Sequence, residues 1–385
     1  MLSRRGSAPS SDGERPVRLL FDARYIRTDF HDGISRFSAE LARAVHEAAP
    51  AAGMDAVFLI HDDEQRRLLP EGARVLRIHA PTSPLEPFTA LILNRRRPDV
   101  VFSPMQTIGS LGRRFRLILT LHDTIYYRHR TPPHDLPAPV RLGWRIFHLS
   151  YAPQRFVLNG ADLVATVSET SKRQFAAARL TKRPVLVLAN APQRLEELLP
   201  AEARGGGSRA DGPPRNIVYM GSFMPYKNVE TLMLAMADLP EHTLHLLSRI
   251  SPERRGELEA FMPPGASIVF HGGVSDEQYA ALLDDRAVLA TLSLDEGYGL
   301  PIAEALAFGV PAVVSDLEIF REVAGEGALF VPAQDPAAFA AAVRSLDDAA
   351  VRERVVAAGR AHMERYSWER SARLLLDAVR GLSER

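Results

Sequence analysis

Short apolar runs recur along the chain, separated by longer stretches in which apolar residues return every three or four positions. Residues 17–22 (VRLLFD), 56–60, 74–78, 99–102, 117–121, 162–167 and 185–189 are runs of this kind. Each is too short for a helix and nearly continuous in apolar character, the pattern of a strand covered on both faces of a parallel sheet. Between them, residues 34–49 (ISRFSAELARAVHEAA) carry a helical repeat, and residues 84–97 and 137–160 read as largely helical. Ser168 stands where a helix beginning at Glu169 needs its N-cap. The alternation restarts at residue 216, with strands at 216–220, 243–247, 267–270 and 288–292. Helices are predicted over 229–236, 252–261, 276–284, 336–345, 349–366 and 368–382. Strands that alternate with helices predict an α/β fold built on doubly wound, Rossmann-like parallel sheets.

Residues 200–215 (PAEARGGGSRADGPPR) interrupt the pattern with glycine, proline and small polar residues, and read as a linker. They divide the chain into a domain at 16–199 and a second at 216–366, with residues 367–385 as a helix long enough to return to the first domain. Residues 1–15 are polar and read as a disordered tail without the apolar core of a signal peptide.

A length of 385 residues agrees with two domains. The absence of cysteine excludes a disulfide framework, a thiolate metal site and a cysteine nucleophile. No run of eighteen apolar residues occurs, so no membrane span is expected and the chain reads as cytoplasmic. The formal net charge is zero, yet residues 1–200 hold 29 Lys and Arg against 20 Asp and Glu, and the remainder 18 against 27. The basic half contains Arg95, Arg96, Arg97, Arg113, Arg114, Arg116 and Arg128, and the amphipathic stretch VRLGWRIFHLSYAPQRF at 140–156. That pattern suits either a solvated surface or peripheral contact with an anionic membrane.

The chemistry concentrates in residues 288–314, VLATLSLDEGYGLPIAEALAFGVPAVV. An apolar strand leads through SLDEGYG to a helix whose first turn holds Pro301 and whose end is marked by Gly309. A helix N-terminus facing a loop suits an anion, usually a phosphate. Glu296 in the loop and Glu304 on the helix are eight positions apart. Carboxylates do not bind phosphate, but they accept hydrogen bonds from the hydroxyls of a ribose or a sugar. A loop carboxylate and an unrelated surface glutamate would give the same spacing.

Other polar motifs follow predicted strands. In YMGSFMPYKN (219–228), Gly221 permits close backbone approach, and Lys227 can stabilise a phosphate leaving group or be a solvated surface lysine. His122 ends the run LILTL and precedes Asp123, a place for a cleft-facing group or for a structural histidine. Gly33 precedes a helix, where it can admit a diphosphate or simply make a tight turn. There is no Walker A motif, no G-x-G-x-x-G after the first strand, and no clustered metal-ligand spacing.

E-G-Y-G-L-P-I-A-E at 296–304, followed by A-x-G-V-P-A-V-V-S-D at 307–316, resembles the signature of retaining glycosyltransferase family 4. G-I-S-R-F at 33–37 resembles a segment of its mannosyl- and rhamnosyltransferase-like members, and LHD its His-Asp pair. The resemblance implies the GT-B fold, two such domains facing a cleft, and transfer of a hexose from a nucleotide-diphosphate sugar to a glycan or lipid-linked acceptor. It favours GDP-mannose or a deoxyhexose donor. On this reading Glu296, Lys227 and His122 serve the reaction. Donor binding falls to Gly33, Gly221, Ser222, Lys227, Arg249, Gly273, Val274, Glu296, Gly297, Tyr298, Gly299, Leu300 and Glu304, and acceptor binding to Asp123 and Arg36. Ser222 and Tyr226 stand where many relatives carry arginine, so Arg249 becomes the further candidate cation. No metal, no other cofactor and no nucleic acid is implied. Two alternatives remain: a sugar-nucleotide epimerase on the same fold, and a non-catalytic relative that binds glycan or nucleotide.

Overall fold

A computed structural model of the chain describes residues 15–29, 32–132, 138–200 and 212–384. Most of the expected tail and most of the expected linker lie outside the described residues. In chain order the first elements are β1 (Val17–Asp22), α1 (Gly33–Ala48), β2 (Met54–Ile60), β3 (Arg74–Arg77), α2 (Thr89–Asn94), β4 (Val100–Ser103) and β5 (Arg116–Thr120). Next come α3 (Ile125–Arg128), α4 (Ala138–Phe147), α5 (Ala152–Asn159), β6 (Leu163–Thr166), α6 (Glu169–Ala177) and β7 (Val185–Val187). The second run of alternation gives β8 (Asn216–Tyr219), α7 (Val229–Ala235), β9 (Thr243–Leu246), α8 (Pro252–Glu259), β10 (Ser267–Phe270), α9 (Asp276–Asp284) and β11 (Ala287–Thr291). It continues with α10 (Leu300–Phe308), β12 (Ala312–Ser315), α11 (Glu318–Ala324), β13 (Ala328–Val331), α12 (Pro336–Ser345), α13 (Ala349–Met363) and α14 (Trp368–Ser383).

The strands form two parallel sheets, ordered β3-β2-β1-β4-β5-β6-β7 and β10-β9-β8-β11-β12-β13. Chain order reverses at β1/β4 in one and at β8/β11 in the other. Such a switch point leaves a crevice at the carboxyl ends of its two strands. In the six-stranded sheet, Ala287, Val288 and Leu289 of β11 pair with Asn216, Ile217 and Val218 of β8, which brings the loops after Tyr219 and Thr291 side by side. Beneath them lies a core of Ile217, Leu232, Leu244, Val288, Val313 and Phe339, all fully buried. Burial on both faces is why these strands read as unbroken apolar runs.

By packing, the chain divides into two compact units: residues up to Ile118 with Arg373–Arg385, and Leu119–Ala372. In the first, Arg24 is enclosed just past β1. Its Nε and Nη2 donate to Asp22 at 2.7 and 2.9 Å, Nη1 and Nη2 to Glu86 at 2.7 and 2.9 Å, and Nη1 also to the His79 carbonyl at 3.2 Å. Burial alone would lower the pKa of this guanidinium, but Asp22 and Glu86 hold it above the usual arginine range. In the second unit, Glu322 on α11 bonds three partners at the start of α6: the amides of Glu169 and Thr170 at 2.7 Å and the Thr170 hydroxyl at 2.6 Å. Ser168 caps the same helix as expected, accepting from the Ser171 amide at 2.9 Å.

Candidate active site

The loop after β8 is shaped by two residues that tolerate what their neighbours cannot. At Gly221 a Cβ would meet the Tyr219 hydroxyl at 2.8 Å, so only glycine fits without a shift. The Tyr219 hydroxyl instead donates to the Ser222 carbonyl at 2.6 Å and pins the turn, while the Ser222 side chain is exposed. A short turn, Pro225–Lys227, then ends at Asn228 in the left-handed region at φ 52°. Asparagine tolerates that conformation better than most residues. Its amide also donates to the carbonyls of Leu292 at 2.9 Å and Ala333 at 2.6 Å, which fixes Lys227 beside the end of β11.

The loop after β11 approaches from the other side of the switch point. The Leu294 amide donates to the Tyr226 carbonyl at 2.7 Å, and the Lys227 ammonium is paired with the Glu296 carboxylate. Gly299 sits at φ 95°, where a Cβ would press on Phe320 and Ile302 at 3.0 and 3.1 Å. Helix α10 therefore starts from a glycine N-cap with no side-chain cap and with proline in its first turn. Its positive end is not satisfied by a cap of its own. At the other end Gly309, at φ 87°, is the C-cap expected from the sequence. Gly221, Lys227, Thr291, Glu296, Gly299 and Pro301 line one cleft. Glu304, on α10, is buried.

The segment after β5 closes against this loop. Asp123 packs so tightly on Gly297 that a Cβ at 297 would collide with its carboxylate. Loss of solvent raises the Asp123 pKa to about 6, and the charges of Glu296 and Asp295 push the same way against the stabilising Ile125 amide at 2.9 Å. Arg128 grips Asp295 with two bonds, Nε at 2.6 Å and Nη2 at 2.8 Å, and that pairing raises its pKa. His129 Nε2 lies 3.3 Å from Asp295, and its ring is 5.0 Å from that of Tyr226. Burial, then the Glu296 charge, drives the Tyr226 phenol far above its ordinary pKa, so it remains neutral. Three carboxylates (Asp123, Asp295 and Glu296) thus share the basic groups Arg128, Lys227 and His129.

The remaining predicted residues fall in four places. Arg249, past β9, is exposed, and its side chain runs over Gly273, whose amide bonds the Leu247 carbonyl at 2.9 Å; Val274 follows, half-buried. Gly221 joins this group through its amide, 3.2 Å from the Ser248 hydroxyl. His122 accepts a bond from the Thr166 hydroxyl to its carbonyl at 3.3 Å. Tyr298 turns into the fold, where its buried hydroxyl donates to the Asn190 carbonyl at 2.6 Å. Gly33 and Arg36 belong to the first unit, at the N-terminus of α1, where the Asp32 carboxylate already accepts from the Ser35 amide at 2.8 Å. Arg128, read from sequence as part of a basic surface, is instead held by Asp295, a partner 167 positions away that carries no local signal. The KN dipeptide after a glycine turn is the signal that could have found Asn228, since asparagine favours φ above zero.

Two parallel sheets, each with a switch point, and a helix-end cleft holding a lysine–glutamate pair define an open, doubly wound α/β protein. Comparison with known proteins is more specific. Residues 214–348 match the family model for glycosyl transferases group 1, and residues 32–191 match that for the glycosyl transferase 4-like domain. The chain belongs to this glycosyltransferase family. An O-antigen chain mannosyltransferase B of Escherichia coli is 32% identical over 171 residues, 42% of this chain and 45% of the relative. A phosphatidyl-myo-inositol mannosyltransferase of Mycobacterium leprae is 38% identical over 122 residues, 30% and 33% of the two chains. The chain thus spans less than half the length of these relatives. Among solved structures, sucrose-phosphate synthase from Thermosynechococcus elongatus shares the fold at a TM-score of 0.70 and 20% identity, over 95% of this chain and 99% of that one. Anabaena HepE, in complex with UDP and glucose, shares it at 0.66 and 16%, over 94% and 99%. The fold is the expected GT-B architecture. Among the described residues no helix is long and apolar enough to cross a membrane.

Proposed function

We propose that the chain is a retaining glycosyltransferase that moves a hexose from a nucleotide-diphosphate sugar to a hydroxyl of a glycan or lipid-linked acceptor. The observation that carries this reading is Lys227, held against Glu296 in the same cleft as the glycine-capped start of α10. A diphosphate placed there meets an ammonium and a positive helix end, both of which gain strength as negative charge develops on the leaving oxygen. Glu296 then exchanges its bond to Lys227 for the hydroxyls of the sugar, and Glu304 takes the ribose hydroxyls. The bond from the anomeric carbon to the phosphate oxygen breaks, the bond to the acceptor oxygen forms on the same face, and the acceptor proton passes to the departing phosphate. Lys227 and the helix end do the work of a divalent metal, and Asp123 and Arg36 serve the acceptor. Peripheral contact with an anionic membrane belongs to the same proposal.

Mannosyltransferases among the relatives favour GDP-mannose, whereas UDP and glucose in the HepE structure favour a uridine donor. Thermal unfolding with GDP-mannose, UDP-glucose, GDP and UDP decides between them, since a ligand of the native state alone raises its melting temperature. Lys227→Ala and Glu296→Ala are each expected to lower transfer at least about 10²-fold while the protein stays folded. Full activity in either variant overturns the assignment.

A further inference from the structure

Arg128 has a geometry that a share in folding does not account for. Its Nε and Nη2 grip Asp295 at 2.6 and 2.8 Å, and its Nη1 donates to the Thr124 hydroxyl at 2.9 Å, four positions back. That hydroxyl donates in turn to the Gln174 side chain on α6 at 3.1 Å. The guanidinium is therefore aimed at Asp295 by a chain of bonds behind it. Yet the Arg128 side chain is 40% exposed, and an ion pair that open to water adds little to stability. Its use lies in what it does to Asp295.

Asp295 and Glu296 are adjacent carboxylates in the loop after β11, and Lys227 lies beside them in the cleft. Glu296 takes that ammonium. Asp295 is engaged on both oxygens. Oδ1 accepts from Arg128 and from the Glu296 amide at 3.0 Å, and Oδ2 accepts from Arg128 with His129 at 3.3 Å. The Tyr226 ring lies 5.0 Å from the His129 ring and 5.3 Å from the Lys227 ammonium, so the Asp295 cluster and Lys227 share a neighbour. After loss of solvent, the charges of Glu296, Asp295 and Lys227 all act on Asp123, which places the three in one electrostatic neighbourhood. Deprived of Arg128, Asp295 is a mostly buried carboxylate, 13% exposed, without its guanidinium and near a lysine that carries three donors. An uncompensated carboxylate there also repels an incoming diphosphate.

We infer that Arg128 is a positioning residue that guards Lys227: by occupying Asp295 it keeps that carboxylate off the ammonium, so that Glu296 holds Lys227 and yields it to an incoming diphosphate. A loop with two adjacent acids then presents one to the cleft and turns the other to Arg128. The choice matters because a lysine shared by two carboxylates has to shed both before it meets a phosphate. The effect on transfer rests on the transferase reading above; the guarding of Lys227 does not.

The test compares the full chain with Arg128→Gln, Arg128→Lys and the double variant R128Q/D295N, whose melting temperatures, close to that of wild type, show that each folds. Arg128→Gln is expected to lower turnover by about 10²-fold, the usual effect of disabling a group that stabilises charge in the transition state. R128Q/D295N removes the stray charge while asparagine keeps an acceptor for the Glu296 amide, and turnover should recover to within about tenfold of wild type. Arg128→Lys keeps the charge without the fork and should fall between the two. A purely mechanical clasp predicts no recovery, because the double variant has lost both halves of it. Normal turnover in Arg128→Gln, or a double variant as slow as the single one, overturns the inference. The crystal structure of Arg128→Gln supplies a readout besides activity: Asp295 is expected on the Lys227 ammonium, and an Asp295 that keeps its wild-type place also overturns the inference. If wild type transfers from no nucleotide sugar while Asp295 moves to Lys227 in the variant, the transferase reading fails and the guarding of Lys227 stands.

Discussion

Two charged clusters in this chain use the same chemistry to opposite ends. Arg24, just past β1, places all five of its N–H groups on Asp22, Glu86 and the His79 carbonyl. Its side chain is fully buried. Lys227, past β8, has one hydrogen-bond partner among the described residues, Glu296, and both side chains keep some exposure, 14 and 16%. An ammonium carries three donors. The first cluster is saturated and closed; the second retains donors and faces a cleft. A buried ion pair by itself therefore says little about function. What marks a site is a charge held in place by its surroundings with capacity left over.

That contrast can be broken most forcefully at Arg24. Arg24→Met leaves two buried carboxylates without their cation and is expected to destabilise the chain by about 3–5 kcal/mol in chemical denaturation. Lys227→Ala should lose far less stability and most of the transfer activity. Equal stability losses in the two variants would erase the distinction.

The next effect concerns how tightly the site is shaped. Gly297→Ala drives a methyl group into the Asp123 carboxylate and must displace one of the two loops. Turnover is expected to fall by about 10²-fold, as misplacement of about 1 Å typically does, with little change in the melting temperature. A variant with normal turnover would show that Asp123 and Gly297 need not touch.

The smallest effect is a slope with pH. The Asp123 pKa is about 6 in the folded chain against an ordinary 3.8, so between those values the native state holds a proton that the unfolded state has released. The stability from this group is full below about pH 4 and lost as pH rises through 6. Asp123→Asn, which stays neutral and keeps an acceptor for the Ile125 amide, should gain on wild type as pH rises from 4 to 7. Melting curves that shift in parallel across that range would remove the case for a desolvated carboxyl.

The architecture was legible because parallel strands covered on both faces need continuous apolar runs; the expected strand at 267–270 and helix at 276–284 match β10 and α9 to the residue. Helix α11 and strand β13 were not anticipated. Each is short, seven and four residues, and the N-cap of α11, Leu317, offers no side-chain cap, so the helix lacks the usual start signal. Within the site, the Gly299–Leu300–Pro301 start of α10 followed from local rules of φ and capping. The placements of Tyr298 and Arg128 did not, since their partners Asn190 and Asp295 lie 108 and 167 positions away. Local chemistry shows in a sequence, and long-range hydrogen bonds do not.

Glu322 turns one of those long-range contacts into a reporter. The amides of Glu169 and Thr170 bond to a side chain 153 and 152 positions away, while the next amide, Ser171, bonds to Ser168 within its own turn. Hydrogen exchange at these three neighbours therefore separates two events that a melting curve merges. If α11 parts from α6, the first two amides lose protection and Ser171 keeps it. If α6 itself unwinds, all three exchange together.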